Sequence, residues 1–356
     1  MFYKFQNRKF EIFGILLHGA TAAEAFKEFT HRFGNIFQFW LGPSRLIIVG
    51  GTGDVQHIYT HRHIYEQGDA FVKKFGILIP NAIINIKGST FKRHASLTMP
   101  LFRHTHELAQ SSTSTVQRKR TSLIASLVCS LQQDEQAEIK KTEDEKKGLS
   151  RSELLDEMLF FLIVGSESVS SALSWFIYHM SKHPQVQQKI KAELMDGDDY
   201  KRPLSLDRLD SLVYLDAVIN EVLRFTPISD GTFRTLTVDD RLPESGVQLY
   251  KGDQVYISIH NLAQDPQNWS IDPEIFYPER FLKGGKPLHP YAFIPFGSGH
   301  RQCIGQDLAR FEFKVIAARL MQYVTFHDGG PQVNTGGQVQ TITIMPKHIG
   351  VSITFD

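Results

Sequence analysis

The stretch FIPFGSGHRQCIG, residues 293–305, places a cysteine in freely bending backbone just before a predicted helix. Its three glycines are Gly297, Gly299 and Gly305. Glycine lets the chain bend sharply and approach a flat, bulky group that a Cβ atom would strike. The positive end and free amides of a helix N-terminus stabilise a thiolate. Cys303, backed by Phe296, is therefore predicted to be the axial ligand of a haem iron.

Two other interpretations of Cys303 fit the sequence less well. A nucleophile would pair with His300 or another of the 15 histidines, but it does not need flanking glycines and an arginine two residues earlier. A zinc site would need further ligands at a set spacing, and Cys129, the chain's other cysteine, supplies none. VGGTGDV at 49–55 fails the GxGxxG register at Gln56, so it indicates a plain turn rather than a dinucleotide site.

Composition narrows the classes of partner. The chain has 39 basic and 38 acidic side chains, a formal net charge of +1, so no overall charge attracts nucleic acid or an anionic membrane. Two cysteines cannot form a disulfide framework, which fits a reducing compartment. The most apolar runs, 10–17 and 158–165, are shorter than the roughly 20 residues of a spanning helix. We therefore expect no signal peptide and no membrane anchor in this chain.

FGSGHRQCIG, Phe296–Gly305, resembles the haem-binding loop of the cytochrome P450 family at every fixed position. The resemblance implies that haem is the cofactor, that Cys303 ligates its iron and that Phe296 shields the sulfur. It also implies that Arg301 and Arg234 meet the haem propionates, since guanidinium groups are strong donors to carboxylates. The role of Arg234 rests on the resemblance alone.

Two further motifs resemble the family in the expected order. INEVLRFTP contains Glu221 and Arg224, three residues apart on one helix face, and PERF contains Arg280. An isolated ExxR pair would be an ordinary surface ion pair. In the family the three side chains form a triad that supports the haem loop, so we predict a structural role for them.

The segment VGSESVSS, residues 164–171, resembles the family's oxygen-binding segment. The resemblance implies that Gly165 opens a groove over the haem and that Glu167 and Ser168 deliver protons. Val164 replaces the family's alanine, and Ser168 replaces its threonine and lacks the methyl group that restricts the rotamer. The alternative interpretation is a helix-packing glycine beside an exposed polar turn.

The largest departures from the family lie before this segment. In KGSTFKRHASL, Phe91 fits the family's aromatic position, but Ala95 stands where the family has a propionate-binding arginine. We predict that Arg93, or Lys92, substitutes for it. The interval to the oxygen-binding segment is much shorter than in the family, which removes most of the helical roof over the substrate pocket. The polar region 104–149 is predicted to be a solvated connection.

Local signals predict a mainly α-helical (α+β) fold with small β-sheets. The resemblance implies a single domain over residues 1–356, with the haem between a long central helix and the cysteine loop. Two capping boxes start helices, at Thr21 with Glu24 and at Ser150 with Glu153. The second helix is predicted to run about 30 residues. Other expected elements are a hairpin over 36–49, a helix that starts at Pro184, a helix through 209–222 and a last helix over 305–324.

The resemblance implies a haem-thiolate monooxygenase that inserts one oxygen atom from O₂ into a lipophilic organic substrate. Its electrons would come from NADPH through a separate reductase resembling NADPH-cytochrome P450 reductase. Two alternatives remain, a haem-binding protein without turnover and a haem-thiolate isomerase or dehydratase that acts on hydroperoxides. The pocket is expected to be lined by Phe160, Phe161, residues 228–232 and residues 335–337.

A local basic patch is expected on the cysteine's face. It comprises Lys283, Lys286, Arg310 and Lys314. An acidic reductase domain would dock there through electrostatic steering, and a merely solvated face is the alternative. The resemblance places the protein on the cytoplasmic side of the endoplasmic reticulum membrane, with a cytoplasmic location as the alternative.

Overall fold

A computed structural model describes residues 21–41, 44–110, 127–131, 138, 140–195, 203–282 and 287–356. The helices of this part of the chain are α1 Ala22–Phe33, α2 Thr52–Thr60, α3 Asp69–Phe75, α4 Gly88–Gln110, α5 Arg151–Lys182, α6 Pro184–Leu194, α7 Leu206–Ser211, α8 Val213–Phe225, α9 Ile259–Gln264 and α10 Gln306–Tyr323. The strands are β1 Ile36–Leu41, β2 Ser44–Val49, β3 Tyr65–Gln67, β4 Gly231–Leu236, β5 Asp240–Arg241, β6 Gln248–Leu249, β7 Gln254–Ser258, β8 Val324–Asp328, β9 Gly336–Gln340, β10 Ile344–His348 and β11 Val351–Phe355. The predicted mainly helical fold with small sheets is confirmed.

Both predicted capping boxes are present. The Thr21 side chain accepts from the Glu24 amide at the start of α1, and Ser150 accepts from the Glu153 amide at the start of α5. Each glutamate bonds back to the cap, so two free amides are satisfied at each helix start. Helix α6 begins at Pro184. The missing N–H of this proline costs no hydrogen bond, because the first amides of a helix have no partner within the helix. The sequence signals at these helix starts are therefore confirmed.

The main sheet joins distant parts of the chain in the order β1-β2-β7-β4-β3. The predicted hairpin of β1 and β2 is antiparallel, with Ile36 opposite Val49. Strand β2 then pairs in parallel with β7, and β7 pairs with β4. Helix α1 packs its phenylalanines on one face of the sheet, and α2 packs on the other. The sheet forms one wall of the central cavity.

Helix α5 spans 32 residues and runs through the interior. Its second half is packed in the largest core, where Trp175, Phe176 and Met180 are buried against α6, α8 and α10. The apolar runs in the sequence are shorter than a membrane span, yet the whole helix is long and apolar enough to cross one by length and composition. Only 28% of the most apolar stretch of this helix is buried. Leucines in the first half of the helix are exposed.

The segment 49–55 is not the plain turn predicted. It starts helix α2, whose N-cap is Gly51. The Glu244 carboxylate accepts from the Gly53 amide at 2.7 Å and from the Asp54 amide at 3.2 Å. A carboxylate of the chain therefore occupies the helix N-terminus, the place where a phosphate would sit in a nucleotide site.

The predicted connection over 104–149 is described only in part. Helix α4 extends to Gln110, and Leu131 forms a bridge with Leu149. Within the charge run, Glu143 accepts from Arg93, so this part of the run is packed on the fold rather than only solvated. Residues 111–126, 132–137 and 139 lie outside the described part.

Candidate functional site

A cavity of about 1090 Å³ lies between helix α5 and the loop that precedes α10. The loop contributes Phe296, Gly297, Arg301 and Cys303 to its wall. Helix α5 contributes Val164, Ser168, Val169 and Ala172. The whole segment 228–232 also lines the cavity, as predicted, together with Arg234 on β4. Residues far apart in sequence thus converge on one space.

The cysteine loop has the backbone that its glycines predict. Gly297 and Gly299 have φ of +70° and +69°, in the left-handed region that favours glycine. A Cβ on Gly299 would lie 3.0 Å from the Tyr59 carbonyl oxygen, so the loop packs closely on α2. The Cys303 amide donates to the Phe296 carbonyl at 2.9 Å, which closes the loop around the sulfur.

The Cys303 side chain is exposed to the cavity while protein surrounds it on its other sides. Burial raises the pKa of this thiol, and the Gly305 amide opposes the shift through a hydrogen bond. The stabilisation of the thiolate by the helix N-terminus is therefore smaller than the cost of removing the thiolate from water. A coordinated metal ion deprotonates a thiol outright, so a bound iron would supply the missing stabilisation.

Arg301 lies beside Cys303 and is held by protein partners that the sequence did not indicate. Its guanidinium donates to Glu66 at 2.9 Å and to the Ile86 carbonyl at 3.0 Å, and it stacks 3.5 Å from the Phe91 ring centroid. Its Nε is buried and, among the described residues, has no hydrogen-bond partner. Arg301 is therefore oriented on the cavity wall with one donor unused.

The two other predicted propionate contacts differ in outcome. Arg234 is buried on the cavity wall and donates to the Thr232 hydroxyl at 3.0 Å and the Phe233 carbonyl at 2.7 Å. Arg93 does not line the cavity. Its guanidinium instead binds Glu153 at 2.6 Å and Glu143 at 3.0 Å, so the expectation for Arg93 is corrected to a role in fastening the start of α5.

We expect the stability contributed by Glu66 to depend on pH. Burial raises the pKa of Glu66, but the nearby His300 together with hydrogen bonds from the Gln67 amide and Arg301 outweighs it and holds the pKa at about 2. A lowered folded-state pKa adds stability above the ordinary value of about 4.3, and this stability is lost as the pH falls towards 2. Urea unfolding of wild type and Glu66→Gln should therefore differ most above about pH 5 and converge below it. A difference in the free energy of unfolding between the two proteins that stays constant from pH 6 to pH 3 would contradict the ion pair of Glu66 with Arg301.

The structure brings Glu221, Arg224 and Arg280 together. Glu221 accepts from Arg224 Nε at 2.7 Å and from Arg280 Nε at 3.1 Å, and the three side chains are 0%, 0% and 1% exposed. Arg224 Nη2 also donates to Glu221 at 2.8 Å, and other guanidinium donors go to backbone carbonyls, including that of Ala263 at 3.0 Å and that of Ile275 at 2.7 Å. The triad thus ties α8 to the segment that leads into the cysteine loop, which supports the predicted structural role.

Three residues of the predicted oxygen-binding segment, Val164, Ser168 and Val169, line the cavity, and Gly165 borders open space. Ser168 lines the cavity, and its hydroxyl donates to the Gly165 carbonyl at 3.3 Å, a long hydrogen bond. A Cβ on Gly165 would meet nothing within 4 Å. The side of α5 at Gly165 therefore faces open space.

Glu167 is not itself on the cavity wall but binds residues that are, and its role in proton delivery stays a prediction. Its Oε1 accepts from the Thr341 hydroxyl at 2.7 Å, the Ile342 amide at 3.2 Å and the Thr343 amide at 3.1 Å. The Thr341 hydroxyl and these further donors hold the pKa of Glu167 below its usual range. The carboxylate fastens the turn between β9 and β10, and this turn lines the cavity.

Removing this carboxylate should loosen the turn. For Glu167→Ala we expect amide hydrogen exchange at Ile342 and Thr343 to quicken by roughly tenfold, because each amide loses an acceptor. Glu167→Gln keeps one acceptor oxygen and should show a smaller change. Exchange rates measured by nuclear magnetic resonance check this, and unchanged rates at both amides in the alanine variant would contradict the contact.

Several expected positions are not on the cavity wall. Phe160 and Phe161 pack against α4 and the residues around Ile83, and the turn residues 338–343 line the cavity in place of 335–337. In the predicted basic patch, Arg310 donates to Asn220 and Lys314 pairs with Asp216. Lys283 and Lys286 lie outside the described residues. The described part of the patch therefore uses its cations within the fold.

The residues on the cavity wall fit a haem. They supply one thiol and the guanidinium groups of Arg234 and Arg301, which suit a metal ligand and two carboxylate partners. In the described part of the chain, Arg301 Nε and the Tyr59 hydroxyl are buried and lack hydrogen-bond partners, so donors remain for a bound group. The fold and this donor set are those of a haem-thiolate protein.

Comparison with known proteins identifies the family. The family model of cytochrome P450 matches residues 63–352, and the chain belongs to the cytochrome P450 family. Haem is the cofactor of this family. A solved structure, retinoic acid-bound cyanobacterial CYP120A1, has the same fold, with a TM-score of 0.74, 22% identity and 96% of each chain covered.

Two curated relatives match half of the chain. Cytochrome P450 3A16 of Mus musculus is 36% identical over 187 residues, which are 52% of this chain and 36% of the relative. Cytochrome P450 3A5 of Homo sapiens is 37% identical over 186 residues, again 52% of this chain and 36% of the relative. The matched region spans about a third of the length of these relatives.

Proposed function

We propose that this chain is a haem-thiolate monooxygenase that inserts one atom of dioxygen into a lipophilic organic substrate. One observation carries the proposal. The Cys303 thiol lines a large cavity whose wall also holds Ser168 and the buried Arg234 and Arg301. Membership of the cytochrome P450 family supports the same class of reaction.

In this proposal each residue has one task. Cys303 would ligate the haem iron, while Arg301 and Arg234 would offset the charge of its propionates. When bound, the haem supplies the binding and reductive activation of dioxygen, and its thiolate ligand favours O–O cleavage. Ser168 Oγ can exchange its long bond to the Gly165 carbonyl for a water and pass a proton into the cavity.

The apolar wall has a separate task. Phe296, Ala172 and Phe313 line the cavity beside the thiol and the hydroxyl. Their side chains exclude bulk water, which strengthens the electrostatic interactions inside. Electrons must come from outside this chain, and we propose NADPH as their source through a separate reductase.

Two measurements test the proposal. The reduced, carbon monoxide-treated protein should show the red-shifted Soret band of a thiolate ligand, and NADPH consumption with added reductase should rise with lipophilic substrates and yield oxygenated product. The absence of the red-shifted band would overturn the haem-thiolate site. A normal band with no turnover over a broad substrate panel would favour a haem-binding protein without turnover.

One observation favours a second candidate, a haem-thiolate isomerase or dehydratase that acts on hydroperoxides. Such an enzyme needs no proton delivery to dioxygen, and the carboxylate of Glu167 is engaged by the hydroxyl of Thr341 and the amide of Thr343. Incubation with a lipid hydroperoxide in the absence of NADPH distinguishes the two. Consumption of the hydroperoxide without NADPH, together with no NADPH-dependent product, would establish the second candidate.

A further inference from the structure

Asp230 is an acid in the wall of the otherwise largely apolar cavity. It lies immediately before β4, is 8% exposed and lines the cavity. Its backbone carbonyl accepts from the His260 amide at 3.2 Å, which fixes the position of the residue. Burial raises the pKa of its carboxyl, because the charged form loses hydration. A buried carboxylate is costly unless a partner compensates its charge.

No basic side chain among the described residues forms an ion pair with Asp230. The cations on the same wall have other positions or partners. Arg301 binds Glu66 at 2.9 Å, Arg310 binds Asn220 at 2.9 Å, and Arg234 donates to neutral oxygens. Lys347 is exposed to solvent, where its ammonium is hydrated. The charge of Asp230 is therefore left without a compensating cation.

The immediate neighbours of the carboxyl are neutral. The Tyr256 phenol, the Gln340 side-chain amide and the backbone amides of Asp230 and Gly231 favour its charged form, but the effect of burial outweighs them. The Tyr256 hydroxyl is nevertheless buried and, within the described ranges, completes no hydrogen bond. A Cβ on Gly231 would lie 2.5 Å from Tyr256 Cζ, so the ring packs directly against the start of β4. Among the residues that the structure describes, an acid without an ion pair and a phenol without a completed hydrogen bond thus share one wall of the cavity.

We propose that Asp230 selects substrates that carry a positively charged nitrogen attached to an apolar body, an inference that rests on the proposed monooxygenase. The cation would compensate the carboxylate, and the apolar body would fill the rest of the cavity beside Phe26, Phe233 and Ala172. A neutral substrate would leave the carboxylate unpaired. The resulting difference in binding free energy between charged and neutral substrates produces the selectivity.

Trimethyl(4-phenylbutyl)ammonium and its neutral carbon isostere, (5,5-dimethylhexyl)benzene, are suitable probes. The quaternary nitrogen keeps its charge and cannot coordinate iron. Binding to the haem-loaded protein is measured by calorimetry and by the Soret shift, for wild type, Asp230→Asn and the exposed control Asp239→Asn. We expect wild type to prefer the cation, and Asp230→Asn to bind the cation at least about 30-fold more weakly with little change for the isostere.

The outcomes separate this inference from the proposed function. Equal binding of both probes to wild type, equal loss of both in Asp230→Asn, or failure of both to bind would overturn the role of Asp230. The same loss in Asp239→Asn would do so too. The carbon monoxide spectrum of the same samples reports separately on the haem-thiolate site. A thiolate band in Asp230→Asn, together with selective loss of the cation, supports the inference and shows that the variant is folded.

Discussion

Replacing Cys303 with alanine is expected to abolish the red-shifted Soret band of the reduced, carbon monoxide-treated protein, together with all NADPH-dependent product. The thiol of Cys303 lines the cavity, and its backbone is fixed by the bond to the Phe296 carbonyl. Alanine removes the sulfur and is compatible with the backbone conformation of the loop. Haem could therefore still enter, but its iron would lack the thiolate ligand. Absorption spectra of the reconstituted proteins measure this.

The matched control is Cys129→Ala. Cys129 is exposed, lies outside the cavity wall and is the chain's other cysteine. We expect this variant to keep the wild-type spectrum and product. If the red-shifted band survived in Cys303→Ala, or vanished in Cys129→Ala, the assignment of the ligand would be wrong.

Replacing Glu221 with alanine is expected to lower the free energy of unfolding by about 3–5 kcal/mol, since it leaves two buried arginines without their shared carboxylate. A loss of this size is a large part of the stability of a typical domain. Glu221→Gln keeps an acceptor oxygen and should cost less. Guanidinium chloride unfolding followed by circular dichroism measures both variants.

Glu279→Gln provides the control for the triad. Glu279 belongs to the same PERF turn as Arg280, but it pairs with the exposed Lys189 and accepts from Tyr214 at 3.1 Å. Exposed ion pairs contribute about 0–1 kcal/mol, so we expect a small effect. A Glu221→Ala protein as stable as the Glu279→Gln protein would refute the structural role of the triad.

The parts of the fold that the sequence predicts are those that neighbouring residues determine. The capping boxes of Thr21 and Ser150, the start of α6 at Pro184 and the bends at Gly297 and Gly299 each depend on residues a few positions apart. Local hydrogen bonding and backbone sterics suffice to specify them. The cysteine loop was predictable for the same reason.

The contacts that the sequence does not reveal join distant residues. Glu66 binds Arg301, and Glu167 binds the turn that contains Thr341, across long stretches of chain. No spacing rule links such residues, because their meeting depends on how helices and strands pack. Arg93 shows that the sequence can also suggest a contact that the fold does not form. Its sequence position suggests a haem contact, but the fold brings Glu153 and Glu143, which are distant in sequence, within hydrogen-bond distance of its guanidinium.

The parallel pairing of β2 with β7 has a consequence for how the chain folds. Leu46 lies opposite Gln254, so the first hairpin leaves the ribosome long before its partner strand has been synthesised. Until then one edge of β2 presents unpaired amides and carbonyls, which favour pairing with other chains. Contacts between such distant residues form slowly. Protection of this edge until the second half of the chain emerges would therefore favour correct folding during synthesis.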